Sequence, residues 1–206
     1  MIFEGIFLSP PVLLQKAKDQ LGEFVKADQT LRAKTAQNRQ PARDKWQVPD
    51  LGALKLNWDT ALDTRKKRMG VGIVVRNHDG EVLLTKCMVQ DHITDPTIAE
   101  AIAARASVEL VRQLGFQSVI FEGDSLVVVK ALSSEDRCWS QFGMLIEETK
   151  IILRSCGSWE VCHIRRAANE VAHRISKLAL TLNETHVWEE SVPLCIREIV
   201  MAERPL

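Results

Sequence analysis

Leu54-Lys55-Leu56-Asn57-Trp58-Asp59 alternates three large apolar side chains with three polar ones. That period of two marks a strand with one face in a core, and it ends by placing a carboxylate at the rim of a sheet. Working outward, Asp63 to Arg68 has nothing apolar to bury and predicts a charged hairpin tip. Met69 to Asn77 is apolar nearly throughout, as a central strand is. Asp79-Gly80 marks a tight turn, and Val82 to Val89 returns as a third strand. Three antiparallel strands therefore come first.

Pro96 opens a helix at the first-turn position where proline is tolerated, and Gly115 stops it. Gln117 to Glu122 is a short apolar strand that follows at once, which predicts a parallel addition after the crossover and hence a mixed sheet. A helix over 126–132 comes next, with Asp124 or Ser125 near its cap. An amphipathic helix over 140–155 buries Phe142, Leu145, Ile146, Ile152 and Leu153 on one face. Trp159 to Ile164 reads as a fifth strand, and Ala167 to Leu180 as a closing helix. The expected architecture is α/β: a five-stranded mixed sheet flanked by helices, in the order β-β-β-α-β-α-α-β-α.

Upstream, Val12 to Ala36 reads as a polar helix and Asn38 to Pro49 as a linker whose Trp46 packs on the following domain. The expected divisions are an N-terminal helix and linker over 1–45, the main domain over 46–182, and a surface-hugging extension over 183–206. The chain has 206 residues, 46% hydrophobic and 26% charged, with 27 Lys plus Arg against 27 Asp plus Glu. This is a globular composition without the overall basicity of many nucleic-acid binders, so any such binding must come from local patches. Cys87, Cys138, Cys156, Cys162 and Cys195 are odd in number and show no metal-binding rhythm, as expected for reduced thiols in an intracellular, nuclear or cytoplasmic protein. The N-terminus has neither the basic start of a signal peptide nor an apolar run long enough to span a membrane.

Three acids stand out. Asp59 ends the first strand, Glu100 interrupts the apolar run Ile98 to Ala104, and Asp124 follows the fourth strand. In a sheet whose first and fourth strands are neighbours, all three can converge on one cleft. Converging carboxylates repel unless a cation neutralises them, and an all-oxygen set favours magnesium or manganese over zinc. Singly, each acid also fits an exposed side chain, and Asp124 fits a helix cap.

Lys55 to Asp59, Ala99-Glu100-Ala101, Phe121 to Ser125, His163 to Arg166 and Asn169 to His173 together resemble the ribonuclease H fold. More narrowly, they are similar to the plant reverse-transcriptase-like ribonuclease H domains, which share segments like Trp46 to Pro49 and Trp188 to Pro193. The resemblance covers residues 46 to 193. It implies an endonuclease that cuts the RNA strand of RNA/DNA hybrids with two ions, Mg2+ or Mn2+, about 4 Å apart. Asp59 would bridge both ions, and Glu100 and Asp124 would complete the one at the leaving oxygen. The fourth acidic position of the family falls on His173, and Thr60 stands where many relatives have glycine.

His163 resembles a mobile histidine that assists product release or proton transfer, while its strand parity with Trp159 and Val161 is equally compatible with pointing into the sheet. Asn57, Ser125, Arg165, Arg166 and Asn169 are the expected substrate or supporting contacts. Phosphate contacts need local positive charge, which Arg65 to Arg68 and, beside the site, Arg165 and Arg166 supply. No basic helical insertion follows the helix after Asp124, so this is a compact form with fewer substrate handles. The alternative is a domesticated, catalytically weak domain that binds nucleic acid or a protein.

Overall fold

The computed structural model describes residues 45–135 and 139–205, all within one compact unit spanning Pro41–Leu206. The helix expected over 12–36 lies outside them. Strands β1 (Leu54–Asp63), β2 (Arg68–Arg76) and β3 (Val82–Asp91) form the expected antiparallel meander. At the first hairpin, Asp63 Oδ1 accepts from the backbone N–H groups of Arg65 and Lys66, which closes the charged tip. Helix α1 (Pro96–Leu114) follows, capped by Asp95, whose side chain accepts from the Thr97 and Ile98 N–H groups. Gly115 ends it in the left-handed conformation that favours glycine, at φ 69°.

Strand β4 (Ser118–Gly123) then pairs parallel with β1, and β5 (Ser158–His163) pairs parallel with β4. Helices α2 (Leu126–Ser133) and α3 (Gln141–Leu153) lie between them in sequence, and α4 (Glu170–Ala179) follows β5 after a single 3-10 turn, Arg166–Ala168. The sheet has six strands, in the order β5-β4-β1-β2-β3-β6, where the sequence predicts five. The additional strand, β6 (His186–Glu189), pairs antiparallel with β3 and covers what would otherwise be an open edge. A last helix, α5 (Arg197–Glu203), follows it.

The two faces of the sheet bury different layers. Leu56 and Trp58 of β1 and Val71 and Ile73 of β2 pack with α1, α2 and α3. On the other face, Val74 and Cys87 pack with Val171, Ala172 and Ile175 of α4 and with Ile196 and Val200. Gly70 and Gly72 of β2 let α4 sit directly on the strand, since a methyl group at either would collide with backbone atoms of Ser176 or Ala172. Because Gly72 is the register partner of Asp59, this close approach brings α4 onto the polar face of β1.

Trp46 is buried, with its ring 3.4 Å from the Arg76 guanidinium carbon. Beneath it runs a polar network. Arg76 donates to Glu203 at 2.5 Å and to Asn57 Oδ1 at 2.9 Å, Asn57 donates to Glu122 at 2.9 Å, and Lys55 pairs with Glu122 at 2.7 Å. The four described cysteines, Cys87, Cys156, Cys162 and Cys195, are free thiols. Among the described residues, no helix is long and apolar enough to cross a membrane.

Candidate metal centre

β1 runs on to Asp63, so Asp59 lies within the strand and not at its end. What makes a rim there is β4, whose pairing with β1 stops at Asn57 and Glu122. Beyond that point the β1 edge is uncovered on the β4 side, and both faces of the sheet become accessible from one cleft. Asp59 reaches it from the α4 face, and Glu100 reaches it from α1 on the other. Asp124 arrives from the turn after β4. Gly123 permits this turn to pass close to β1, because a methyl group there would strike the Trp58 ring.

The three acids converge as the sequence predicts: one ligand atom from each of Asp59, Glu100 and Asp124 lies within 4.8 Å of the others. Asp124 is not a helix cap; that position belongs to Ser125, whose side chain makes no capping hydrogen bond. Thr60 Oγ1 donates to Glu100 Oε1 at 2.5 Å. His173 Nδ1 lies 2.8 Å from Asp59 Oδ2, and Ser176 Oγ lies 2.9 Å from the same oxygen. The Ser176 hydroxyl also faces the His173 carbonyl oxygen at 2.9 Å, so its single proton is shared between two acceptors.

The remaining oxygens of the two deeper acids, Asp59 Oδ1 and Glu100 Oε2, are buried and have no hydrogen-bond partner. A buried carboxylate oxygen without a donor is costly unless a cation or water completes it, so this donor set fits a hard divalent ion. The electrostatics agree. Burial raises the Asp59 carboxyl above its ordinary range, against the lowering hydrogen bond from His173, and Asp124 raises it further. Burial also lifts Glu100 to about 7, opposed by the Thr60 hydrogen bond and by a weaker approach of the Trp58 side chain, and reinforced by the charges of Asp59 and Asp124. A divalent cation would relieve this strain by stabilising the ionised forms.

His173 is buried at the back of the site, and its Nδ1 faces an acceptor. A ring donating from Nδ1 to Asp59 would leave a lone pair on Nε2. Arg166 enters from the turn before α4: it donates to Asp124 Oδ2 at 3.3 Å and brings a guanidinium nitrogen to 3.0 and 3.3 Å from the two His173 ring nitrogens. His163 is exposed, with Nε2 3.1 Å from the Asp124 carbonyl oxygen, so it faces the site and not the sheet interior. Arg165 is exposed on the same loop.

Two expected substrate contacts are buried and committed to interior hydrogen bonds. Asn57 is fully buried, with its amide committed to Glu122 and Arg76, and so belongs to the interior network. Asn169 is buried and donates to the Trp58 carbonyl oxygen at 2.8 Å, fastening the start of α4 to β1 next to Asp59. Ser176 and the supporting role of Thr60 escape the sequence reading. Ser176 sits three residues after His173, on the same face of the helix, and that spacing is the only signal it leaves.

An open groove of about 520 Å³ runs from this site along α4, lined by Arg166, Glu170, His173, Arg174 and Lys177. It is predominantly basic, although Arg174 is paired with Glu170 at 2.7 Å.

Comparison with known proteins agrees with the architecture. RNase H1 from the halophilic archaeon Halobacterium salinarum superposes with a TM-score of 0.58 at 23% identity, covering 63% of this chain and 98% of that one. The N-terminal RNase H domain of a Mycobacterium tuberculosis protein, solved as a maltose-binding-protein fusion, gives 0.56 at 20% identity, covering 63% and 94%. LC11-RNase H1, solved with an RNA/DNA hybrid, gives 0.56 at 16% identity, covering 62% and 96%. At these identities the likeness establishes the fold. No curated protein matches the sequence. The reverse transcriptase-like family matches residues 57–179, more than half of the chain and every acid of the cluster, and the protein is therefore a member of that family with a ribonuclease H-like fold.

Proposed function

We propose that this protein is a metal-dependent endonuclease that hydrolyses the RNA strand of RNA/DNA hybrids. The observation that carries this reading is the pair of unpartnered buried oxygens, Asp59 Oδ1 and Glu100 Oε2, in a cluster completed by Asp124. When bound, Mg2+ or Mn2+ supplies Lewis-acid stabilisation of the phosphodiester and a more acidic water. The family resemblance implies two such ions, which Asp59, Glu100 and Asp124 would hold together with His173 in place of the fourth acid; an imidazole ligand shifts preference toward manganese.

The chain's own residues have separable tasks. Thr60, Ser176 and His173 each engage one oxygen of the Glu100 or Asp59 carboxylate, leaving the other oxygen of each buried without a hydrogen bond. His163, exposed with Nε2 beside the Asp124 carbonyl oxygen, would assist product release or proton transfer. Arg166, Arg174 and Lys177 along the groove suit a phosphate backbone, and the 2′-hydroxyls of the wide minor groove distinguish the RNA strand. The hybrid bound by LC11-RNase H1, which shares the fold, supports this substrate class.

The Arg166–Asp124 pair favours a second reading, a catalytically weak domain that binds nucleic acid or a protein partner, because a cation already faces the acidic cluster. A hybrid-cleavage assay with Mg2+ and then Mn2+, comparing wild type with Asp124→Asn, separates the two. Cutting that is lost in the variant supports the nuclease. No cutting with either metal, or equal cutting by the variant, leaves the binding module.

A further inference from the structure

Each carboxylate of the cluster has one oxygen already engaged by a protein donor. Asp59 Oδ2 faces His173 Nδ1 and Ser176 Oγ, Glu100 Oε1 accepts from Thr60, and Asp124 Oδ2 accepts from Arg166. The partnerless oxygens, Asp59 Oδ1 and Glu100 Oε2, are one per residue. Three single oxygens, one from each acid, would suit one hard divalent ion that keeps water or substrate as its other ligands. A second ion would need the other Asp59 oxygen and the His173 lone pair.

Asp59 Oδ2 is already engaged by His173 and Ser176, and the His173 ring is already approached by Arg166. His173 Nδ1 is turned to Asp59, and a guanidinium nitrogen of Arg166 lies at nearly equal distances from both ring nitrogens. The near equality sets it beside the ring as a whole and not along one lone pair. The same guanidinium donates to Asp124. A permanent positive charge therefore already stands between Asp124 and His173, where it repels a second divalent cation. The Arg166 side chain is 60% exposed and lines the groove.

We infer that the site takes one divalent ion, held by Asp59 Oδ1, Glu100 Oε2 and Asp124, and that the Arg166 guanidinium supplies the charge at the second position. Arg166 is then a positioning residue for the scissile phosphate, binding an anionic oxygen where the two-ion arrangement would use a metal. This rests on the metal-dependent reading above and changes its stoichiometry.

The test counts bound Mn2+ on the full chain by calorimetry and by the electron paramagnetic resonance of the free ion, without reference to cleavage. Wild type should bind one ion. Arg166→Gln should still bind one, roughly tenfold more tightly because a neighbouring positive charge is gone. Arg166→Ala combined with His173→Asp, which vacates the position and restores a carboxylate, should bind two. Two ions in the wild type, or an Arg166→Gln affinity that is unchanged or weaker, would overturn the single-ion inference and leave metal dependence standing. No binding by the wild type at millimolar Mn2+ would overturn both. Circular dichroism checks the double variant's fold, and if it is unfolded the wild-type count and the exposed-site Arg166→Gln affinity decide the matter.

Discussion

Thr60 Oγ1 lies 2.5 Å from Glu100 Oε1, so the side chain that β1 carries next to Asp59 holds the carboxylate that α1 delivers to the site. The threonine that departs from the glycine of many relatives is thus a fastening between the two layers. Thr60→Val, which keeps the shape and removes the hydroxyl, should weaken Mn2+ binding by about tenfold or more, the usual effect of losing a donor behind a metal ligand. Thr60→Ser should largely restore it. Equal affinities for all three proteins in calorimetry would show that Glu100 needs no such support.

The same acid makes stability depend on pH. Burial, helped by Asp59 and Asp124, lifts Glu100 from 4.5 to about 7. Between those values the folded protein keeps a proton that the unfolded chain has released. This group's contribution is therefore complete below pH 4.5 and is lost as pH rises through about 7. The difference corresponds to on the order of 3 kcal/mol. In chelator, thermal unfolding should occur at a lower temperature near pH 8 than near pH 5, Glu100→Gln should flatten the trend, and added Mg2+ should recover the loss at pH 8. A wild-type profile no steeper than that of Glu100→Gln would remove Glu100 as the cause.

Gly72 faces the α4 backbone so closely that a methyl group would strike the Ala172 carbonyl oxygen. Gly72→Ala should push α4 away from β2 and draw His173 and Ser176 off Asp59. The expected penalty is about 1–3 kcal/mol in urea denaturation, as for other overpacked interiors, accompanied by weaker metal binding. Retention of wild-type stability and affinity would mean that the helix tolerates the shift.

Glu203 partners Arg76, a guanidinium only 1% exposed beneath Trp46. Glu203→Ala leaves that cation buried, with the Asn57 side-chain oxygen as an acceptor. Losing one partner of a buried pair costs about 3–5 kcal/mol. Urea denaturation should register a loss of that size, while the metal-binding stoichiometry stays unchanged because no hydrogen bond of the network reaches Asp59, Glu100 or Asp124.

Much of this is legible in the sequence because its physical signals are local. The alternation of Leu54, Leu56 and Trp58, the apolar run of β2 and the stop at Gly115 each identify an element without reference to the rest. Glu100 is conspicuous because it interrupts an apolar helical stretch. What escapes depends on pairing at a distance. β6 is only four residues long, and its identity as a strand comes from the edge that β3 offers it. Asn57 looks like a substrate contact from its place two residues before Asp59, yet Arg76 and Glu122 draw it into the interior. Asp124 is equally consistent with a cap until β4 is seen to leave β1 just before it. Arg166 reads as a phosphate contact, and its approach to Asp124 and His173 appears only when the turn before α4 is folded against the sheet.

The most direct measurement of the central claim uses an RNA/DNA hybrid labelled at the RNA 5′ end, incubated with Mg2+ or Mn2+ and wild type or Asp59→Asn, with the product ends identified. Metal-dependent hydrolysis at this cluster predicts internal RNA cuts leaving 3′-hydroxyl and 5′-phosphate ends, no cutting in chelator, and a loss of at least about 100-fold in Asp59→Asn. Cutting that persists in Asp59→Asn or in chelator, or products ending in 2′,3′-cyclic phosphate, would contradict the account.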